Sequence, residues 1–179
     1  MSLENANHVA LVGLMGVGKT AVGTLLAKKL DCVHTDLDLA VMNSVGRSVG
    51  VIFAESGETG FRDLEEKVLN DNLSKEDPSV ISTGGGVVER ALNREQLKEK
   101  TMVIWLRAEL GTLVKRIGQS SSRPLLKDRD PLKALIEINE RRSSLYEEVA
   151  DVIIDTDQIS ISDVTELLLG LYLKDWIRE

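Results

Sequence analysis

The sequence lacks several features that would each define a class of protein. A single cysteine, Cys32, excludes an internal disulfide and offers no cysteine-based metal cluster. With only 3 prolines, 42% hydrophobic and 28% charged residues, the composition is that of a globular rather than a disordered chain. No apolar run approaches the length of a membrane helix, and the N-terminal segment 1–5 has neither a basic stretch nor an apolar core. We therefore predict a cytoplasmic protein without a membrane partner.

An excess of positive charge is also missing, since the formal net charge is −7. This balance argues against general nucleic-acid binding, which depends on basic surfaces that displace counterions from phosphates. An acidic protein that binds anionic ligands must gather a few cations locally, so basic residues beside glycines and strand ends are of most interest. At 179 residues we expect one domain, spanning 1–179, and a monomer.

A phosphate-binding motif stands near the N-terminus. The apolar run Val9–Val12 predicts a buried strand, and it is followed by a glycine-rich loop and a helical pattern over 21–30. Gly13, Gly18, Lys19 and Thr20 satisfy G-x-x-x-x-G-K-S/T, in which backbone N–H groups cradle phosphates, the lysine reaches the β- and γ-phosphates and the hydroxyl ligates Mg²⁺. The competing interpretation is a glycine turn that happens to precede Lys-Thr. The flanking strand and helix favour nucleotide binding, with Met15, Gly16 and Val17 in the same loop.

Strands and helices alternate along the rest of the chain. Further strands are predicted at 31–35, 79–83, 102–106 and 151–156, and helices at 39–44, 61–69, 91–100, 110–119, 132–150 and 161–176, with a break at 57–60. This alternation predicts an α/β fold with a five-stranded parallel sheet covered on both faces. Ligands of such sheets bind beyond the carboxyl ends of the strands, so Gly13, Asp36 and Gly84 are expected to share one crevice.

Two carboxylates, Asp36 and Asp38, follow the second predicted strand. In an extended segment residues two apart face the same side, so the two side chains are expected to project together. A helix start is the alternative, because aspartate also caps helices. The neighbouring phosphate loop favours a functional role. No aspartate ends the third strand, so Asp36 is the candidate for the indirect magnesium contact.

Arg62 and three consecutive glycines, Gly84, Gly85 and Gly86, are the next candidates. Arg62 either forms a surface ion pair with Glu65 or Glu66, or is oriented by Glu65 towards a substrate carboxylate. The glycines, directly after a strand, indicate either a ligand pressed against the backbone or a flexible turn. The polar segment 120–131 is either a lid, with Arg123 held extended by Pro124, or a solvated loop.

Taken in order, these pieces resemble the shikimate kinase family. They are Gly13 to Thr20, Asp36-Leu37-Asp38, Gly57-Glu58 with Phe61-Arg62 and Glu65, Thr83 to Gly86, Arg123-Pro124-Leu125-Leu126, and Arg142 ahead of Leu145-Tyr146. The family often has proline where this chain has Ser144, and Arg141 beside Arg142 is a second candidate for the carboxylate ligand.

The resemblance implies a three-layer P-loop kinase fold of the nucleoside-monophosphate-kinase-like type. It also implies ATP- and Mg²⁺-dependent phosphorylation of the 3-hydroxyl of shikimate, on the route to chorismate and the aromatic amino acids. Lys19, Asp38 and Arg123 would be catalytic, with Asp38 also binding the substrate hydroxyls. Gly84 to Gly86 would line the substrate pocket, and Arg62 and Arg142 would hold its carboxylate. Thr20 would bind Mg²⁺, with Asp36 acting through water, and Arg116 and Asp157 would lie near the adenine. The lid would span approximately 119–131.

Three other functions compete with this one. Another small-metabolite kinase, such as a gluconate kinase, is opposed by the Asp36-Leu37-Asp38 segment and the three glycines. A catalytically silent module that binds nucleotide or a partner protein would be free to lose Lys19 and Arg62. A GTPase switch is disfavoured because the sequence has no Asn-Lys-x-Asp segment for reading guanine.

Overall fold

The computed structural model describes residues 8–118, 124–126 and 129–171. The strands are β1 (His8–Val12), β2 (Val33–Asp36), β3 (Ser79–Ser82), β4 (Thr101–Arg107) and β5 (Val152–Asp155). The α-helices are α1 (Lys19–Lys29), α2 (Leu37–Val45), α3 (Val49–Leu73), α4 (Ala91–Lys100), α5 (Leu110–Ile117), α6 (Pro131–Val149) and α7 (Ile161–Leu171). Two short 3₁₀ turns lie at Val87–Glu89 and Pro124–Leu126.

The five strands form one parallel sheet in the order β2-β3-β1-β4-β5. β1 lies at the centre, with His8 opposite Ser79 on one side and Thr101 on the other, and all five of its residues are buried. This accounts for its uninterrupted apolar sequence, because a central parallel strand is covered on both faces. The predicted α/β fold with a five-stranded parallel sheet is confirmed.

Helices cover both faces of the sheet and make it the middle of three layers. The chain moves one way across the sheet from β1 to β2 and the other way from β3 to β4 and from β4 to β5. Since parallel crossovers are right-handed, the helices of these connections lie on opposite faces. Accordingly α1 packs with α7, while α4 and α6 pack together against β4. The carboxyl ends of all five strands then meet at one edge.

The connection from β2 to β3 positions the residues that follow the phosphate loop. Asp36 ends β2 and caps α2, its side chain accepting a hydrogen bond from the Leu39 N–H. Ser48 caps α3 in the same way, through the Val51 N–H. The break predicted at 57–60 is a single kink within α3, where Gly57 has φ 67° and ψ −174°. The helical segment after the kink carries Arg62 to the carboxyl edge of the sheet.

Some boundaries differ from the prediction. The strand predicted at 31–35 begins only at Val33, so Cys32 precedes it, half-buried against the core and with a free thiol. Trp105 in β4 is buried, as expected of a core residue.

The part of the chain that the structure describes contains no single helix with the length and apolarity of a membrane span. Among the described helices, only α2 and α3 taken together have the length and composition of a membrane span, and they are bent by 94° at their junction.

Candidate active site

The loop Gly13 to Thr20 joins β1 to α1 at the carboxyl edge of the sheet. Gly13, Gly16 and Gly18 have φ values of 134°, 80° and 103°, which residues with a Cβ rarely adopt. At Gly13 a Cβ would also lie 2.1 Å from the Leu106 carbonyl oxygen. Lys19 donates to the carbonyl oxygens of Gly13 at 2.8 Å and Leu14 at 3.0 Å, which holds its ammonium against the loop.

A cavity of about 300 Å³ opens in front of this loop, and we call it the phosphate cavity. Its lining comprises Met15, Gly16, Gly18, Lys19, Thr20, Ala21, Asp36, Asp38, Thr83 and Gly85. The N-terminus of α1 borders it, and this supplies unpaired N–H groups and the positive end of the helix dipole. The cavity therefore has the donors and the charge that suit a polyphosphate.

Asp36 connects the loop to the second strand. Its Oδ2 accepts the Thr20 hydroxyl proton at 2.7 Å, while its Oδ1 caps α2. The prediction that Asp36 and Asp38 project to the same side of one extended segment was wrong. The extended backbone stops at Asp36, and Asp38 lies in the first turn of α2. Both residues nevertheless line the phosphate cavity. The capping role and the functional role thus coexist in Asp36.

A second cavity, of about 260 Å³, adjoins the first and is called here the acceptor cavity. It is lined by Met15, Asp38, Val49, Phe53, Phe61, Arg62, Gly84, Gly85, Gly86, Leu125 and Arg142. Met15, Asp38 and Gly85 line both cavities. Atoms bound in one cavity therefore face atoms bound in the other across these three residues.

Two buried arginines supply the positive charge of the acceptor cavity. Arg62 and Arg142 expose only 6% and 1% of their surface, whereas the neighbouring Arg141 is exposed. The structure thus places Arg142, and not Arg141, in the cavity lining. The ion pair of Arg62 with Glu65 is therefore buried and does not lie on the surface. Arg62 donates to Glu65 at 2.7 Å inside the protein and to Glu58 at 3.0 Å.

Carboxylates hold these guanidinium groups in position. Arg142 donates from Nε to Glu89 at 2.8 Å, and the other oxygen of Glu89 lies 3.5 Å from Nε of Arg62. Burial alone would lower the pKa of Arg62, but Glu65, Glu58 and Glu89 outweigh it and raise that pKa above its ordinary value. Nε of Arg62 and Nη2 of Arg142 are buried without a hydrogen-bond partner among the described residues. Such donors are suited to binding the carboxylate of a ligand.

Glu65 presents an acceptor to the same cavity. Burial raises the pKa of its carboxyl, the Arg62 guanidinium opposes that rise, and the Asp38 carboxylate adds to it. Its Oε1 is buried and has no hydrogen-bond partner within the described part of the chain. A Cβ at Gly84 would lie 2.5 Å from this oxygen and 2.8 Å from Oδ1 of Asp38. The two carboxylates thus converge on Gly84, an arrangement suited to ligand hydroxyls.

The three glycines leave room for charged side chains as well as for a ligand. At Gly86 a Cβ would overlap the Arg62 guanidinium, with Nη2 only 1.9 Å away. The carbonyl oxygen of Gly85 accepts a hydrogen bond from Tyr146, whose ring is buried and packs on Trp105 at 5.6 Å between centroids. Burial raises the pKa of the Tyr146 hydroxyl, which therefore stays a neutral donor that holds the glycine turn. These contacts favour a fixed glycine turn over the flexible turn that was the alternative.

Arg116 and Asp157 are not among the residues that line these two cavities. Arg116 donates to Thr156 Oγ1 at 2.9 Å and to its carbonyl oxygen at 2.6 Å. Asp157 accepts from the Glu109 N–H at the start of α5 and lines a third cavity, of about 600 Å³, beyond β4 and β5. Arg123 lies outside the described residues. Of the predicted lid, Leu125 is described and lines the acceptor cavity.

Sequence reasoning overlooked three parts of this site. Glu89, which links the two arginines, follows the glycines by three positions and belongs to no periodic pattern. Phe53 and Phe61 form apolar walls of the acceptor cavity, with ring centroids 5.0 Å apart. The third part is Oε1 of Glu65, which has no hydrogen-bond partner among the described residues and can accept one from a ligand. An acid or a phenylalanine near a candidate arginine is a weak signal, because an acid usually belongs to a solvated surface and a phenylalanine usually belongs to the core.

The three-layer fold, its phosphate loop and the adjoining acceptor cavity define a P-loop kinase. The protein-family model described as shikimate kinase matches residues 15–171. A shikimate kinase of Thiobacillus denitrificans is 40% identical over 168 residues, which cover 94% of this chain and 91% of that one. One from Symbiobacterium thermophilum is 46% identical and covers 88% and 91%.

Solved structures agree with the sequence comparisons. The shikimate kinase of Acinetobacter baumannii, solved in complex with shikimate, has a TM-score of 0.91 at 35% identity and covers 98% of this chain and 97% of that one. The shikimate kinase of Aquifex aeolicus has a TM-score of 0.79 at 32% identity, covering 94% and 98%. The chain belongs to the shikimate kinase family, as the order of its motifs predicted.

Proposed function

We propose that this protein transfers the γ-phosphoryl group of ATP to the 3-hydroxyl of shikimate, giving shikimate 3-phosphate and ADP. The reaction would serve the route to chorismate and the aromatic amino acids. One observation carries the proposal: the phosphate cavity and the acceptor cavity share Met15, Asp38 and Gly85. A terminal phosphate in the first cavity is then next to an alcohol in the second. The shikimate bound by the Acinetobacter baumannii relative supports this choice of acceptor.

The acceptor cavity matches the chemistry of shikimate group by group. The carboxylate of shikimate suits the guanidinium groups of Arg62 and Arg142, since arginine presents a planar fork to carboxylates. Its hydroxyls suit Asp38 and the unpaired oxygen of Glu65, which converge on Gly84. The ring of shikimate can pack on apolar walls such as Phe53, and the backbone of Gly84 to Gly86 also lines the cavity.

The phosphate loop would bind ATP. Backbone N–H groups of Gly13 to Gly18 and the Lys19 ammonium would neutralise the β- and γ-phosphate oxygens. Arg123 would add a further positive charge from the lid at 119–131. Arg116 and Asp157, both at the carboxyl edge near β5, would lie beside the adenine.

The residues beside the loop fit a magnesium ion. Because the Thr20 hydroxyl donates its proton to Asp36, its oxygen lone pairs can still bind a cation. Among the described residues no group of three or more acidic, histidine or cysteine side chains forms a protein-only metal site. This agrees with the preference of Mg²⁺ for a few protein ligands supplemented by phosphate oxygens and water. Thr20 would hold the ion directly and Asp36 through water, and bound Mg²⁺ neutralises charge on the phosphates.

The chemical step follows from the position of Asp38. The 3-hydroxyl oxygen forms a bond to the γ-phosphorus, and the bond from that phosphorus to the β–γ bridging oxygen breaks, leaving ADP. Asp38 accepts the hydroxyl proton. Since phosphoryl transfer depends mostly on alignment and charge neutralisation, Lys19 and Arg123 would contribute by stabilising the transferring oxygens.

We also propose that the working unit is one chain, spanning 1–179 as a single domain, in the cytoplasm. Sedimentation of the purified protein during turnover would test the oligomeric state.

A coupled assay for ADP release tests the activity. We expect release only when shikimate, ATP and Mg²⁺ are all present, and none when gluconate replaces shikimate, when the acceptor is omitted or when EDTA removes the metal. Equal rates with shikimate, gluconate and no acceptor would refute the proposal. A protein that binds ATP without releasing ADP would be the silent module instead.

A further inference from the structure

The arginines of the acceptor cavity are surrounded by more negative charge than they carry. Arg62 is approached on three sides, by Glu65 at 2.7 Å, Glu58 at 3.0 Å and Glu89 at 3.5 Å, and Glu89 also pairs with Arg142. Three carboxylates thus accompany two guanidinium groups, and Asp38 lines the same cavity. A ligand carboxylate would bring a fifth to the cavity. Since like charges at close range are disfavoured, withdrawal of one protein carboxylate would favour binding of an acid.

Glu58 occupies the position between the two arginines. Its Oε1 lies 3.0 Å from Nη2 of Arg62 and 3.8 Å from Nη2 of Arg142. The other two glutamates contact different edges, since Glu65 bonds Nη1 of Arg62 and Glu89 faces the Nε atoms of both arginines. A carboxylate shared by both arginines would therefore compete directly with Glu58.

Burial distinguishes Glu58 from the other two as well. The side chain of Glu65 is completely buried, that of Glu89 is 25% exposed and that of Glu58 is 38% exposed. Glu58 also follows the kink at Gly57, and at Gly57 an added Cβ would meet no atom within 4 Å. Glu58 can therefore turn into solvent at low cost. Movement of Glu65 would instead leave the buried guanidinium of Arg62 without its closest partner.

We propose that Glu58 is a displaceable internal anion, which occupies the carboxylate position of the acceptor cavity and is exchanged for the carboxylate of the incoming acid. This inference rests on the proposed roles of Arg62 and Arg142. The exchange makes Glu58 a determinant of specificity. The contacts of an acid's hydroxyl groups must offset the free energy of displacing Glu58, so a carboxylate without hydroxyl groups binds poorly.

The exchange predicts that removing the charge of Glu58 tightens binding. An internal competitor reduces the apparent affinity of a ligand by the fraction of molecules whose site is open. A partly exposed ion pair is worth ~1 kcal/mol, which corresponds to about a fivefold change in an equilibrium constant. We therefore expect Glu58→Gln to lower the dissociation constant of shikimate about fivefold. A residue that merely orients Arg62 would have the opposite effect.

Calorimetric titration without nucleotide measures this directly, using shikimate and cyclohex-1-ene-1-carboxylate, which has the ring and the carboxylate but no hydroxyls. The matched control is Glu55→Gln, which removes the same charge one turn away, where Glu55 pairs with Arg47 on the surface. We expect Glu58→Gln to tighten both acids by a similar factor and Glu55→Gln to change neither. In the coupled assay, Glu58→Gln should lower KM for shikimate without raising kcat, and leave KM for ATP unchanged.

An unchanged or weaker affinity of Glu58→Gln for shikimate would overturn the inference, as would a gain limited to shikimate, which would place the effect at the hydroxyls. Arg142→Gln separates this result from a failure of the site itself. If Arg142→Gln weakens both acids while Glu58→Gln does not tighten them, only the exchange is wrong. If Arg142→Gln changes neither acid, the proposed carboxylate site is wrong.

Discussion

Gly86→Ala is the sharpest test of how the glycine turn and Arg62 fit together. Gly86 has φ −99° and ψ 5°, which alanine adopts without backbone strain. The effect of the substitution therefore comes from the added methyl group alone. That methyl would lie 1.9 Å from Nη2 of Arg62, 2.2 Å from Cζ and 2.6 Å from Nη1.

The magnitude follows from the movement that Arg62 must make. An ordinary contact begins near 3.4 Å, so Nη2, now 1.9 Å away, has to retreat by about 1.5 Å. This movement breaks the 2.7 Å bond to Glu65 and misplaces the guanidinium relative to the acceptor. A hydrogen bond to a charged group contributes about 1.5–3 kcal/mol. We therefore expect KM for shikimate to rise about 10-fold to 150-fold.

The assay is the coupled measurement of ADP release at saturating ATP with shikimate varied. KM for ATP should stay near that of the parent protein, because Gly86 does not line the phosphate cavity. Gly111→Ala in α5 is the matched control, since a Cβ there meets nothing within 4 Å. Thermal unfolding verifies that each variant folds. A folded Gly86→Ala with KM for shikimate within twofold of the parent would refute the assignment of Arg62 to the substrate.

Two further predictions concern the chemical step and stability. Asp38→Asn should lower kcat by about 10²-fold to 10⁴-fold, because asparagine cannot accept the hydroxyl proton, while calorimetry should find nucleotide affinity unchanged; loss of nucleotide affinity would contradict the role given. Burial lowers the pKa of both histidines, His8 and His34, below 6.5. The unfolded chain thus takes up protons first as pH falls from about 6.5 to 5, so these residues should make unfolding easier over that range. Denaturant unfolding of the double variant His8→Gln/His34→Gln should show a flatter pH dependence, and an unaltered slope would count against this explanation.

The phosphate loop was predictable because its chemistry is local. The cradle is built from consecutive backbone N–H groups, so the glycines, Lys19 and Thr20 are adjacent in sequence as they are in space. The alternation of strands and helices likewise predicted the parallel sheet, and the sheet brought Gly13, Asp36 and Gly84 to one edge. Asp38 shows the limit of local reasoning, since the extended segment expected to align it with Asp36 ends at Asp36, and Asp38 lines the phosphate cavity from the first turn of α2 instead.

The acceptor cavity was only partly predictable because its contacts join distant segments. Glu89 and Arg142 are 53 residues apart, and their ion pair exists only because α6 packs beside the turn that follows the glycines. No local pattern separates Arg142 from Arg141. Burial of one face of α6 makes that choice.

By itself, the sequence determined the phosphate loop and the order of strands and helices, since each depends on residues close together in the chain, and the order of the motifs along the chain determined the family. Only the tertiary structure decided which charges meet in the acceptor cavity, with Glu58 bridging two arginines and Gly86 making space for one of them. The physical reason is that burial and pairing of charge depend on which helix faces pack together, and packing is a property of the whole fold.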